Sequence, residues 1–376
     1  MIDLKSILDA GVQAGRAPGF SAAVIARDGE RLSACAGVRG ANSSQPMTPD
    51  TLFWIASCTK AITSVAALQL VERGLIDLDA PVGERLPTLS APRVLTGFDA
   101  SGGPLTRPAT RPITLRRLLT HTSGLAYDFF SEDLGKFLAA TGGSMISPPD
   151  PDVPLMFEPG DAWQYGTGID WAGRLVEAVT GEGLDAWCAT HIFAPLGMTD
   201  TTFFPSEAQA ARKATVHRAG EDGGFVEAPF GLPSTNHFMM GGGGLFCTAD
   251  DYLRFLGAIL DRGAPLLKPE TFALVMNNQV GDLDAGVLKT AQPLLSRDYE
   301  PLPGLTRRHS LAGLINVEPV PGGRSAGSLA WAGIANCYYW ADPAAGAAGV
   351  VMAQVLPFAD PGILATFAEV ERAVYA

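Results

Sequence analysis

Cysteine is scarce and scattered in this chain. The five residues, Cys35, Cys58, Cys188, Cys247 and Cys337, are odd in number and contain no C-x-x-C pair. That spacing argues against a disulfide framework or a zinc site and fits reduced, buried thiols. Positive charge is also short: 27 Lys and Arg stand against 39 Asp and Glu, for a net charge of −12. The arginines are dispersed, and the densest pair, Arg116-Arg117, reads as a solvated helix face. A nucleic-acid partner is therefore not expected. No uncharged apolar run reaches the length of a membrane span, so no membrane partner is expected. The segment Met1 to Asp9 carries two acids and no apolar core, unlike a secretory signal. The expectation is a cytoplasmic location. The run Gly241 to Gly244 lacks the Gly-Lys-Ser/Thr ending of a phosphate cradle and reads as a tight turn packed close to the wall of the site. No cofactor and no metal is expected.

What is present is 376 residues of ordinary globular composition, 47% hydrophobic and 18% charged. That length is long for one compact core and predicts two domains, or one large domain with an insertion. Asp3 to Ala14 has the pattern of an amphipathic helix. Gly19 to Gly37 reads as a hairpin closed by Asp28-Gly29. From about Leu75 to Phe238, Pro- and Gly-rich loops separate helical stretches at 115–120, 133–140, 168–180 and 184–193, with no convincing strand pair. Thr248 is placed to cap a helix running to about Arg262. Strand-like runs return at 309–316, 327–331, 336–340 and 349–355, and Asp360 caps a last helix with Pro361 at its first position. The expected fold class is α/β of the α+β type: an antiparallel sheet flanked by terminal helices, with an inserted, mostly helical domain. The boundaries expected are 1–85 with 239–376 for the sheet domain and 86–238 for the helical one.

The segment Thr51 to Lys60 stands out. Apolar and aromatic residues lead to Ser57, Lys60 follows three positions later, and an almost unbroken apolar stretch runs from Ala61 to Leu70. Three positions apart on a helix is one face. Ser57 is thereby expected at the first turn of a buried helix, beside free backbone N–H groups that stabilise an oxyanion. A lysine in an apolar setting loses proton affinity and serves as a neutral base. Nineteen Ser and six Lys give only about 0.3 chance matches to Ser-x-x-Lys in this length. Two further pieces suit the same chemistry. Tyr165, in a Gly-bounded turn, is a phenol able to pass a proton to a leaving group. The strand Ser328 to Gly333 ends in small residues, as a strand edge does when its N–H groups form an oxyanion hole. Each has a bland reading as well, a surface tyrosine and a core strand with Trp331 inside.

Ser57-Cys58-Thr59-Lys60, Tyr165-Gly166-Thr167 and Trp331-Ala332-Gly333 occur in the order of the three motifs of serine β-lactamases and penicillin-binding proteins. In detail the chain most resembles the family VIII carboxylesterases, which are themselves similar to class C β-lactamases. Leu118 to Leu125, Phe157 to Gly160, Pro195 to Met198 and Gly241 to Leu245 extend the likeness over nearly the whole chain. The resemblance implies a β-lactamase/transpeptidase-like fold and a serine esterase. It assigns Ser57, Lys60 and Tyr165 to catalysis and the N–H groups of Ser57 and Ile334 to the oxyanion hole. Trp331, Gly333 and Tyr127 are expected to contact substrate, and His121 is read as structural. Two departures bear on the substrate, a small-molecule ester. Thr167 replaces the Asn of Tyr-x-Asn, and Trp331 replaces the Lys of Lys-Thr-Gly, which anchors a carboxylate in lactamases. An indole suits an uncharged acyl or alkoxy group. The expectation is hydrolysis of neutral, short-chain esters. The alternatives are a β-lactamase, a D-amino-acid amidase or peptidase, an acyltransferase to an alcohol, and a catalytically silent binding relative.

Overall fold

The structure, a computed structural model, describes residues 2–143, 152–220, 223–228 and 239–376. In chain order the amino-terminal part comprises α1 (Leu4–Gln13), β1 (Gly19–Ile25), β2 (Arg31–Gly37), β3 (Phe53–Trp54) and α2 (Thr59–Glu72). There follow β4 (Arg93–Phe98), β5 (Pro104–Pro108), α3 (Leu115–Leu119), α4 (Glu132–Thr141), α5 (Gly168–Thr180) and α6 (Leu184–Cys188). Short elements α7 (Ala194–Leu196), α8 (Glu207–Ala210), β6 (His217–Ala219), β7 (Phe225–Glu227) and β8 (Phe246–Cys247) lead to α9 (Ala249–Leu260) and α10 (Pro269–Met276). The chain ends with β9 (Arg307–His309), β10 (Leu314–Asn316), β11 (Leu329–Gly333), β12 (Cys337–Asp342), β13 (Ala347–Met352), β14 (Val355–Leu356) and α11 (Pro361–Tyr375).

Seven strands form one antiparallel sheet in the order β2-β1-β13-β12-β11-β10-β9. Its first and last parts come from opposite ends of the chain, and β1 pairs with β13 in the register Ser21 to Met352. Period-two alternation divides the faces. Tyr338 and Trp340 of β12 meet Phe367 of α11, which packs on α1. Tyr339, between them, points the other way and meets Tyr252 of α9. Helix α2 lies deeper still. Every residue from Thr59 to Leu70 is buried, so α2 has no polar face and is a central core helix. Each of Ile62, Val65, Leu68 and Leu70 contributes about 1.5–3 kcal/mol by leaving water. Local signals hold where they were read: Thr248 accepts from the Asp251 N–H, and Asp360 accepts from those of Gly362 and Ile363.

Two expectations fail. The stretch 75–238 is not free of strand pairs: β4 and β5 form an antiparallel hairpin, and β6 pairs with β7 and, in parallel, with β14. The first hairpin buries one residue, Val94, and carries prolines at both ends of β5, so it lacks apolar alternation. Its tip is organised by the Asp99 side chain, which accepts from the N–H groups of Ser101 and Gly103. The run 309–316 is not one strand but the β9–β10 turn, closed by the Ser310 N–H donating to the Gly313 carbonyl. The end expected for the helical unit, residue 238, lies outside the described residues. Among the described residues no helix is long and apolar enough to cross a membrane.

Candidate active site

Ser57 does not sit in α2 itself but in the 3₁₀ turn Ala56–Cys58 that runs straight into it. Ala56 adopts a left-handed φ of 44°, a strained conformation of the kind kept where a side chain must be aimed. The turn carries Ser57 to the wall of a cavity of about 720 Å³, where Tyr127, Tyr165, Trp331 and Ile334 also lie. Lys60, one turn on, is buried, and its Nζ stands 3.1 Å from Ser57 Oγ.

Lys60 Nζ has two other partners. It donates to the Gly242 carbonyl at 2.5 Å and to the Tyr127 hydroxyl at 3.1 Å. Tyr127 in turn donates to Asp170 Oδ2 at 3.2 Å, and the Gly242 N–H donates to Asp170 Oδ1 at 2.8 Å. Burial, with Asp170 and Tyr165 adding to it, holds the Tyr127 phenol well above its ordinary range, so it stays protonated and donates. The Gly241–Gly244 run is therefore a wall of the site. Thr63 Oγ1 donates to the Gly241 carbonyl and Trp54 Nε1 to the Gly243 carbonyl. A Cβ at Gly242 would lie 2.5 Å from Asp170 Oδ2, so only glycine allows that approach.

Tyr165 is placed differently from Tyr127. Its ring lies beside Lys60, with Nζ 4.9 Å from the centroid, and its hydroxyl accepts from Trp331 Nε1 at 3.3 Å. At β11, the Gly333 backbone presses so closely on the nucleophile turn that a Cβ there would be 2.3 Å from the Ile55 carbonyl oxygen. Gly333 thus sets the approach of the strand end, while Ile334 beyond it faces the cavity.

The sequence matches the Beta-lactamase family over residues 4–373. The chain belongs to that family. Among curated proteins it is 34% identical to the lovastatin esterase of Penicillium rubens, over 87% of this chain and 86% of the other. It is 35% identical to monacolin J acid methylbutanoyltransferase of Aspergillus terreus, over 89% and 84%. Among solved structures, unliganded simvastatin synthase from Aspergillus terreus superposes with a TM-score of 0.87 at 32% identity, covering 99% of this chain and 97% of that one. The protein is accordingly a serine hydrolase or acyl transferase with the β-lactamase/transpeptidase-like fold.

In this member of the beta-lactamase family the histidine of the 118–125 motif serves structure. His121 is buried with φ 58°, its carbonyl accepts from the Gln164 N–H, and its Nδ1 accepts from the Gly166 N–H at 3.4 Å. It holds the Tyr165 turn from both sides. Burial, then His309 and Lys60, keeps the imidazole well below its ordinary range and therefore neutral. His309, 5.2 Å away ring to ring, is lowered by burial to about 4. With Trp163 and Trp331 these rings form an aromatic block behind Tyr165. Glu158 of the Phe157–Gly160 motif ties that loop to residues 107–111. Burial opposes its charge, but Arg107 and the Thr110 and Arg111 N–H groups outweigh this and hold it at about 2.

Sequence reasoning overlooked Asp170 and His309 but placed the Gly241–Gly244 turn at the site wall. Asp170 had a readable signal, an acid between Ile169 and Trp171 on the buried face of a helix that starts three residues after Tyr165.

Proposed function

We propose that the protein is a serine carboxylesterase that takes its acyl group from neutral esters onto Ser57. The observation carrying this reading is the 3.1 Å approach of Lys60 Nζ to Ser57 Oγ at the wall of a largely apolar cavity. Ser57 Oγ attacks the ester carbonyl carbon as its proton passes to Lys60. The N–H groups of Ser57 and Ile334 hold the oxyanion. On collapse the bond to the alkoxy oxygen breaks, and Tyr165 supplies the proton to the departing alcohol, being replenished from Lys60. Tyr165 suits this better than Tyr127, because the Tyr127 hydrogen is committed to Asp170 whereas the Tyr165 oxygen only accepts from Trp331. Water then attacks the acyl-enzyme with the same groups in reverse. Trp331, standing where lactamases carry a cationic anchor, favours an uncharged acyl or alkoxy group. The acyl chain is short, as in the methylbutanoyl relative, and the alcohol side takes the larger part of the cavity.

A second reading, transfer of the acyl group to an alcohol, is supported by the cavity volume and by the transferase among its relatives. It differs only in the acceptor of the second half-reaction. We also place the protein in the cytoplasm and assign 86–238 as the helical domain carrying Tyr165; the five free cysteines, four of them buried, support the first.

The test is turnover of p-nitrophenyl butyrate and a chromogenic cephalosporin, with and without an added apolar alcohol. Ser57→Ala, Lys60→Ala and Tyr165→Phe serve as controls. Ester turnover that exceeds lactam opening and is lost in each folded variant is expected. A folded Ser57→Ala protein with the wild-type rate would sink the mechanism. New ester formed faster than free acid selects the transferase reading.

A further inference from the structure

We infer that Asp170 is a positioning residue of this site, a buried counter-charge that aims the Lys60 lone pair at Ser57 and stabilises the ammonium once the proton has moved. The inference rests on the Ser57 acyl-enzyme reading and adds a group that lies one residue removed from the reacting atoms. A neutral amine has two N–H donors and one lone pair. The Gly242 carbonyl and the Tyr127 oxygen are the two acceptors offered to Lys60, at 2.5 and 3.1 Å. Their directions leave the third position of Nζ for Ser57 Oγ.

Both acceptors are held by one carboxylate. Tyr127 presents its oxygen to Lys60 because its hydrogen is drawn to Asp170 Oδ2, and the loop bearing the Gly242 carbonyl is fastened by its N–H on Oδ1. Each Asp170 oxygen thus accepts, the pattern of an ionised carboxylate. Asp170 is 2% exposed. Burial pushes its carboxyl up, while Lys60, the Gly242 N–H and the Tyr127 hydroxyl pull it down.

The charge balance gives the arrangement its use. Before attack, neutral Lys60 with ionised Asp170 makes a net negative pair in a low-dielectric interior. When the proton leaves Oγ for Nζ the pair becomes neutral overall, which burial favours. The remaining titratable groups around Lys60 do not supply this. Tyr165 lies beside Nζ as a ring, and burial keeps His121 and the Cys58 thiol uncharged. The acids of the cavity wall are engaged elsewhere: Asp128 with Gln292, Asp298 with Lys289, Glu300 with Arg307 and Glu371 with Arg324.

The experiment measures the rate of Ser57 labelling by a fluorophosphonate against pH in the full chain, alongside kcat and KM for p-nitrophenyl butyrate. Asp170→Asn keeps the shape and removes the charge. Its plateau rate is expected to fall by about 10–100-fold with KM nearly unchanged. Its acid limb should move to lower pH, because an ammonium without its counter-charge gives up its proton more readily. A merely structural aspartate would lower the melting temperature and the amplitude without moving the limb. A folded Asp170→Asn protein with the wild-type plateau and limb overturns the inference. Should that variant not fold, Tyr127→Phe cuts the bridge between carboxylate and lysine. A tenfold or greater loss there supports the assignment, and a wild-type profile overturns it. Labelling needs no ester, so wild-type protein that labels without turning over esters refutes the substrate class alone. Wild-type protein that never labels refutes Ser57 and, with it, this inference.

Discussion

Gly333→Ala is a one-carbon change that tests how the oxyanion hole is built. The added Cβ would lie 2.3 Å from the Ile55 carbonyl oxygen and 3.2 Å from its carbon. A methyl carbon and a carbonyl oxygen keep at least about 3.2 Å apart, so the end of β11 must retreat by about 1 Å. Ile55 is fully buried and Ala56 is already in the left-handed region, so the nucleophile turn has little freedom to give way instead. The retreat carries the Ile334 N–H, the second oxyanion donor of the proposed mechanism, away from Ser57. A misplacement of about 1 Å, or loss of one such donor, lowers kcat by about 100-fold or more, equal to about 2.7 kcal/mol. Overpacking adds about 1–3 kcal/mol of destabilisation. The assay is kcat for p-nitrophenyl butyrate with fluorophosphonate labelling and a melting curve on the same preparation. Both rates should fall together while the protein remains folded at assay temperature. A folded variant with kcat within about threefold of wild type would refute the placement of β11 as the second half of the hole.

Glu158→Gln tests the tie between the 157–160 loop and residues 107–111 through pH. Because folding lowers this carboxyl from 4.5 to about 2, its stabilisation is complete above 4.5 and lost as pH falls toward 2. The variant should be less stable than wild type at neutral pH, and urea titrations should show the difference closing across that window; a constant difference would contradict the assignment. His309 acts in a higher window. Burial lowers it from 6.5 to about 4, so its neutral form stabilises the fold above 6.5 and that contribution is lost as pH falls toward 4. The effect is worth up to about 3 kcal/mol. His309→Leu gives up the bond to the Ser310 carbonyl but cannot be protonated, so its stability should be flatter between pH 6.5 and 4. An unchanged slope in urea midpoints would show that other groups dominate acid unfolding.

Features of short range were legible in the chain. The hairpin Gly19 to Gly37 followed from Asp28-Gly29 between two strand-like runs, and the caps at Thr248 and Asp360 from residue type and position. Ser57 and Lys60 share a face because their spacing brings them together in any helical turn, and the 3₁₀ start of α2 preserves that. The β4–β5 hairpin escaped notice because its strands face solvent, and burial is what writes alternation into a sequence. The β9–β10 turn escaped because Ser310 and Gly313 close it with side-chain and backbone bonds inside an otherwise apolar run.

The sequence by itself determined the Ser57–Lys60 pairing, each of the three motifs and the sheet-and-helix composition, since each depends on residues within a few positions of one another. Only the tertiary structure decided which phenol touches the lysine. Tyr127 and Tyr165 lie 67 and 105 positions from Lys60, and nothing local ranks them; the packing of α2 against α5 and the Gly241–Gly244 wall does. The same holds for Asp170, whose partners Tyr127 and Gly242 are 43 and 72 positions away. A buried carboxylate must find donors wherever the fold brings them, and that choice is made by the assembled core.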